Sequence, residues 1–173
     1  MVVAALLFVA CGGGGGSTGV SDRVNQPQIS PDGDRGTLSL VLSSETAPDG
    51  NRRILLHGRN ARDLYQIAAS LRFDPVLYDI VLVEAGGGLG DPEQSYFLDS
   101  QSEPGKLDFA YTRRWYGDGV NGDPLLLSVK VRPLAAFNLS DFRIDNNTES
   151  IRVRDSRKHA LPCLVDGQEV GNE

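Results

Sequence analysis

The sequence predicts an all-β domain built as a two-sheet antiparallel β-sandwich of about eight or nine strands. Three observations carry that expectation. Apolar side chains recur at every second position through most of the chain beyond residue 36. The alternating runs are short, and Gly, Pro, Asn and Asp cluster between them. No segment carries a convincing helical period, residues 60–67 coming nearest. Strict alternation places one face of a strand in a core and the other in solvent. Two sheets of this kind bury their apolar faces against each other.

The elements follow in order. Leu38, Leu40 and Leu42 alternate with Thr37, Ser39 and Val41, and Ile54 and Leu56 with Arg53 and Leu55. Pro48-Asp49-Gly50-Asn51 lies between these runs and has hairpin chemistry. Tyr65, Ile67, Ala69, Leu71 and Phe73 form a longer alternating set. Ile80-Val81-Leu82-Val83 is uniformly apolar, which predicts burial on both faces before Gly86-Gly87-Gly88 ends the run. Leu107, Phe109 and Tyr111 alternate with Asp108, Ala110 and Thr112, and the same period carries Trp115 toward the core. Asp118-Gly119 and Asn121-Gly122 are hairpin dipeptides ahead of Leu125, Leu127, Val129 and Val131. Phe142 with Ile144 and Ile151 with Val153 close the pattern, with Asp145-Asn146-Asn147 as the turn between them.

Three stretches, taken in order, resemble the cohesin family and the carbohydrate-binding-like sandwiches related to it. The first is residues 69–75, Ala-Ser-Leu-Arg-Phe-Asp-Pro, followed by the strand at 80–86. The second is residues 117–131, a Gly-rich turn leading into a long apolar strand. The third is residues 137–145, like a late strand pair. The resemblance covers about residues 37–155 and implies a jelly-roll sandwich without catalytic activity. It also implies a binding or adaptor role, since cohesins take dockerin modules through one sheet face. It fixes no dockerin-contacting residue in this chain.

Residues 2–10 are an apolar run ending in Phe8-Val9-Ala10, followed by Cys11 and five glycines. The run is too short for a membrane-spanning helix and has the length of a signal-peptide core. Phe8, Val9, Ala10 and Cys11 resemble the lipobox of a bacterial lipoprotein. That likeness implies cleavage before Cys11 and acylation of its thiol and new amino group, palmitate being one such chain. The bilayer is then a partner, reached through several acyl chains, because a single chain holds only marginally. Gly12, where Asp often marks inner-membrane retention, favours the outer membrane or cell surface of the bacterial envelope. Residues 11–36 are rich in Gly, Ser, Pro and Asn and read as a disordered tether. The expected organisation is a signal peptide at 1–10, the tether at 11–36, the sandwich at 37–165 and a tail at 166–173.

The net charge of −6 argues against nucleic-acid binding, which needs clustered Lys and Arg. No cofactor and no metal site is expected, because only His57 and His159 are present and neither pairs with Cys at ligand spacing. Residues 118–123 have the Asp and Asn of a calcium loop, but Val120 and Val129 stand where an EF-hand needs oxygen ligands. No nucleophile motif joins a Ser to either His, so the chain is not read as an enzyme and no catalytic residue is assigned. Cys163 lies in an apolar stretch and is expected to be a buried thiol. A second binding reading rests on aromatic side chains: Tyr96, Phe97, Trp115 and Tyr116 are candidates to stack on a polysaccharide.

Overall fold

A computed structural model describes residues 36–147 and 149–165, with the backbone alone at 168–170. Cys11 and the lipobox residues Phe8, Val9 and Ala10 lie outside the described residues, as do the signal peptide and nearly all of the tether. Twelve strands are present among the described residues. They are β1 (Leu38–Thr46), β2 (Arg52–Arg59), β3 (Ala61–Arg72), β4 (Tyr78–Ala85), β5 (Ser95–Glu103), β6 (Lys106–Arg113), β7 (Val120–Gly122), β8 (Leu125–Pro133), β9 (Arg143–Ile144), β10 (Arg152–Asp155), β11 (Cys163–Val165) and β12 (Gln168–Val170). The one helical element among these residues is the 3-10 turn Leu139–Asp141. None of the described helices is long and apolar enough to cross a membrane.

The strands form two sheets. One has the order β12-β11-β1-β2-β8-β4, and the other β10-β3-β6-β5 with β7 and β9 pairing on β3. The count exceeds the expected eight or nine because β7, β9, β11 and β12 are two or three residues long, too short for alternation to register. Pairing is antiparallel except between β1 and β11, where Leu38, Leu40 and Cys163, Val165 run in parallel.

The core between the sheets follows the alternation. Leu38, Leu40, Ile54, Leu56, Ile67, Leu71, Leu107, Phe109, Val129 and Val131 all lose their solvent contact. Each large aliphatic side chain buried this way contributes about 1.5–3 kcal/mol. Tyr111 is fully buried, and its hydroxyl donates to the Gly90 carbonyl at 2.9 Å and accepts the Leu89 N–H at 3.3 Å. Tyr78 is likewise buried; its hydroxyl donates to the Asp141 carboxylate at 2.6 Å and accepts the Asn138 N–H at 3.0 Å. Burial, reinforced by Asp141, raises the Tyr78 phenol above its usual range. Cys163 is buried on β11 beside Leu38 of β1, and burial pushes its thiol up to about 12.

Four local expectations fail, each for a geometric reason. The β3 period slips because Gln66 pairs with Arg154 and Leu64 with Asp155, leaving Tyr65 as an extra residue. Such a bulge turns one side chain out of sequence; Leu64 is buried and the Tyr65 hydroxyl instead donates to the Trp115 carbonyl at 2.6 Å. In β4, Val81 is skipped between Ile80 and Leu82 in the pairing with β8. That strand lies at the sheet edge, so Val81 and Leu82 are exposed rather than buried on both faces. Trp115 does not reach the core, because β6 ends at Arg113 and the chain leaves the sheet. Finally, Asn121-Gly122 closes no hairpin: it belongs to β7, which pairs with β3 before the chain crosses to the other sheet. The Pro48–Asn51 turn does close the β1–β2 hairpin, with Gly50 at φ +82 and its N–H on the Ala47 carbonyl at 3.0 Å.

Asp63 ties the end of the second sheet together. Its backbone is left-handed at φ 55, and its carboxylate accepts the Gly119 N–H at 2.5 Å and the Ser156 hydroxyl at 2.7 Å. A side chain at Gly119 would overlap the Asp63 backbone, so glycine is required there.

Candidate functional site

Cross-strand partners share a face of a sheet, so the pairing register defines the outer surface of β10-β3-β6-β5. One row reads Arg152, Ala68, Ala110, Leu98. The row beside it reads Arg154, Gln66, Thr112, Tyr96. On the other side lie Ser70, Asp108 and Ser100, followed by Arg72 and Lys106. The centre is low and apolar, made by two alanines. Leu98 rises beside it at 70% exposure. Arg152 and Arg154 flank it on β10, both exposed and without an ion-pair partner among the described residues. Four strands spaced about 4.8 Å apart make a platform about 15 Å wide, enough to seat one helix of about 10–12 Å diameter.

The polar part of this face is held rigid. The Asp108 carboxylate accepts hydroxyl hydrogen bonds from Ser70 and from Ser102, the latter at 2.8 Å, and pairs with Lys106 at 3.3 Å. Burial raises the Asp108 carboxyl, but these bonds together outweigh it and hold it below the usual carboxylate range. Arg72 is shared between Asp145 at 3.1 Å and Glu103 at 3.5 Å.

The aromatic candidates are distributed unevenly. Trp115 is 70% exposed, Tyr116 is fully exposed, and Tyr96 is 54% exposed beneath the Arg114 guanidinium, which lies 3.9 Å from its ring centre. Phe97 points inward, packing on Phe109 and edge-on to Tyr111, so its ring is largely committed to the core. The structure therefore brings Tyr96 and Phe97 to one edge and leaves Trp115 and Tyr116 on the loop after β6. Sequence reasoning missed the Arg152–Leu98 row altogether. Its members are an arginine, two alanines and a leucine on four strands, and only the register joins them.

The remaining chemistry-bearing residues are accounted for by structure. His57 sits half-buried on β2, and burial with Arg59 nearby lowers its pKa against the opposing pull of Asp123. His159 Nδ1 lies 3.1 Å from Asp155 within one loop, while the adjacent Ser156 hydroxyl is taken by Asp63. In the loop read as calcium-like, the Asp123 carboxylate accepts from Arg59 at 2.9 Å and from the Asn60 N–H at 3.0 Å. Asn121 accepts the Asp63 N–H at 2.9 Å. Among the described residues no three His, Cys, Asp or Glu side chains gather at metal-binding distance.

No protein-family model matches the sequence, and no curated protein matches it either. Solved structures do match in fold. A cohesin module from a Clostridium perfringens family 33 glycoside hydrolase superposes with TM-score 0.58 at 10% identity, covering 78% of this chain and 95% of its own. A type I cohesin from Clostridium thermocellum, solved in a cohesin–dockerin complex, gives TM-score 0.58 at 14% identity, covering 77% of this chain and 90% of its own. A non-cellulosomal cohesin from the archaeon Archaeoglobus fulgidus gives 0.54 at 16% identity, covering 74% and 85%. The fold is thus a cohesin-like β-sandwich, the class the sequence motifs implied.

Proposed function

We propose that this chain is a non-catalytic protein-binding module, held at the bacterial cell envelope by an acylated Cys11. Its partner sits on the outer face of β10-β3-β6-β5. The observation that carries this reading is the Arg152–Ala68–Ala110–Leu98 row, a half-buried apolar floor with exposed Leu98 at one end and two cations beside it that have no ion-pair partner among the described residues. Large apolar side chains left in solvent beside a small-residue floor are a common basis of recognition surfaces. Two of the structural neighbours were solved with dockerins, which makes a dockerin-like protein the expected partner. The anchor is supported by the apolar run, the small residue at position 10 and the Gly-rich segment after Cys11.

The partner face is tested by placing the photo-crosslinker p-benzoylphenylalanine at Ala110 and, separately, at Ser43 on the other sheet, in cells of the source organism. A discrete protein adduct from position 110 and none from 43 is expected. Adducts from 43 alone, or from neither, overturn the face. The anchor is tested by fractionating a Cys11→Ser variant, which should leave the membrane pellet; its retention there refutes the anchor.

A further inference from the structure

Three contacts gather separate segments at one end of the sandwich. The Asp63 carboxylate accepts the Gly119 N–H at 2.5 Å and the Ser156 hydroxyl at 2.7 Å. The Tyr65 hydroxyl, two residues along β3, donates to the Trp115 carbonyl at 2.6 Å. A Cβ on Gly36 would stand 2.9 Å from Arg62 Cδ, one residue before Asp63. The 114–119 loop, the 155–159 turn and the point where residues 1–35 join the described chain therefore lie together.

The surface at that end combines rings and cations. Trp115 is 70% exposed and Tyr116 fully exposed, although hydrogen bonds hold their loop on both sides. The 155–159 turn is held as firmly. The Asp155 carboxylate accepts the Arg157 N–H at 2.9 Å and the His159 N–H at 2.8 Å, and the Asp155 N–H meets the His159 carbonyl at 3.0 Å. Arg157 and Lys158 are exposed on it, and neither side chain has an ion-pair or hydrogen-bond partner among the described residues. Lys158 stands at φ 68, a left-handed backbone that glycine adopts freely and lysine only at a cost. Strain of this kind gathers at functional sites. Of the acids nearby, Asp63, Asp123 and Asp155 are engaged within the chain, which leaves Asp118 in solvent.

A fixed turn of cations beside two exposed amphipathic rings matches a bilayer surface. Trp and Tyr settle at headgroup level, with the ring body in the apolar layer and the polar tip in water. Lys and Arg meet anionic headgroups. The chain as a whole carries −6, so an anionic surface opposes most other orientations.

We propose that this end of the sandwich rests on an anionic lipid surface, with Trp115 and Tyr116 entering the interface and Arg157 and Lys158 meeting headgroup phosphate. The contact rests on the Cys11 anchor for its setting. Gly36 follows Cys11 by about 25 residues, no more than about 90 Å at full extension, so the domain cannot leave the surface. At that effective concentration a weak contact suffices. It orients the sandwich end-on and leaves the outer face of β10-β3-β6-β5 open to a partner.

Trp115 is the sole tryptophan of the chain, so its emission reports the loop directly. The full-length Cys11→Ser chain, which cannot be acylated, is titrated at low ionic strength with vesicles of phosphatidylglycerol and phosphatidylcholine. Vesicles of phosphatidylcholine alone are the control. The mixed vesicles should shift the emission to shorter wavelength and carry the chain down on centrifugation, with the control binding more weakly. Arg157→Ala with Lys158→Ala should weaken sedimentation about 25-fold, about fivefold for each cation near an anionic surface. Trp115→Ser with Tyr116→Ser should weaken it about tenfold or more, and thermal unfolding should be unchanged in both variants. Physiological salt should release most of the unacylated chain, so failure of the anchor is read separately, by cell fractionation. The proposal is overturned by an unshifted Trp115 emission on mixed vesicles, by equal binding to both vesicles, or by undiminished binding of either double variant. Displacement of the chain from vesicles by soluble xylohexaose would assign the rings to sugar and overturns it too.

Discussion

The outer faces of the two sheets are built from similar lengths of strand and treat their charges in opposite ways. On the β1-β2-β8-β4 sheet the ions pair with each other: Arg53 with Glu45 at 3.0 Å, Lys130 with Asp49 at 3.2 Å, Arg132 with Asp79 at 2.6 Å. Its exposed apolar side chains, Val41 on β1 and Val81 and Leu82 on β4, have β2 and β8 between them. On the β10-β3-β6-β5 sheet the acid Asp108 is absorbed by Ser70, Ser102 and Lys106, while Arg152 and Arg154 have no acid partner among the described residues. The apolar residues there are continuous across three strands. A surface that answers its own charges has little to offer a partner. One that leaves cations and a leucine unanswered keeps them open to solvent, which is what the proposed partner face requires.

The comparison breaks most directly at Ala110. Ala110→Arg fills the floor of the strip and should weaken the partner about a hundredfold or more, the scale of a central hot spot, while Ser43→Arg on the other face leaves affinity unchanged in the same titration. Equal losses from both would make the two faces equivalent. Acid sharpens the contrast next. Burial raises the Asp63 carboxyl, but bonds from Ser156 and Gly119 outweigh it and hold it below its usual range. Asp108 and Asp145 are depressed as well, against the same upward push of burial, by serine hydroxyls and by Asn147 and Arg72 respectively. A carboxyl depressed in the folded state stabilises above its unfolded pKa of about 4, and that stability is lost as pH falls through the folded value. Hydrogen exchange measured from pH 6 down to pH 3 should therefore show β3 and β6 losing protection ahead of β1 and β2, and Asp63→Asn should flatten part of that dependence.

Smaller effects come from the flanking charges. Arg152→Glu with Arg154→Glu should slow partner association about tenfold and remove most of its salt dependence, with dissociation changed less, as stopped-flow kinetics would record. Smallest of all is the exposed Asp79–Arg132 pair. Its removal as Asp79→Ala should cost about 0–1 kcal/mol in chemical denaturation and nothing in binding; a binding loss there would move the recognition surface to the other sheet.

The architecture was legible because its physics is local. Ile54, Leu56, Leu107, Phe109, Val129 and Val131 show their burial through spacing alone, and Gly50 shows its turn. What escaped were the places where one residue is added to a strand. Tyr65 and Val81 sit at bulges, and no composition signal separates a bulged residue from its neighbours. Trp115 escaped because the end of β6 is set by the β5 pairing at Ser95–Arg113, not by the alternation that carried it inward. The parallel meeting of β1 with β11 joins residues more than a hundred positions apart and leaves no trace in either segment. The candidate face was illegible for the same reason: Ala68 and Ala110 read as filler until the register sets them side by side. The aromatic candidates were named correctly as residues but not as a group, since alternation turns Phe97 inward where Tyr96 turns out.

Strand β5 ends its sheet, so one side of its backbone is left without a neighbour among the described residues. Between Ser95 and Glu103 it carries two acids, Asp99 and Glu103, and no basic side chain. A second copy laid along the same edge would bring these acids together on a chain that is already net negative. Repulsion between the Asp99 carboxylates would oppose such pairing at low salt and neutral pH, Glu103 being already paired with Arg72 and Lys106. Concentrated salt or mild acid would weaken that restraint, which lies on the same strand that exposes Leu98.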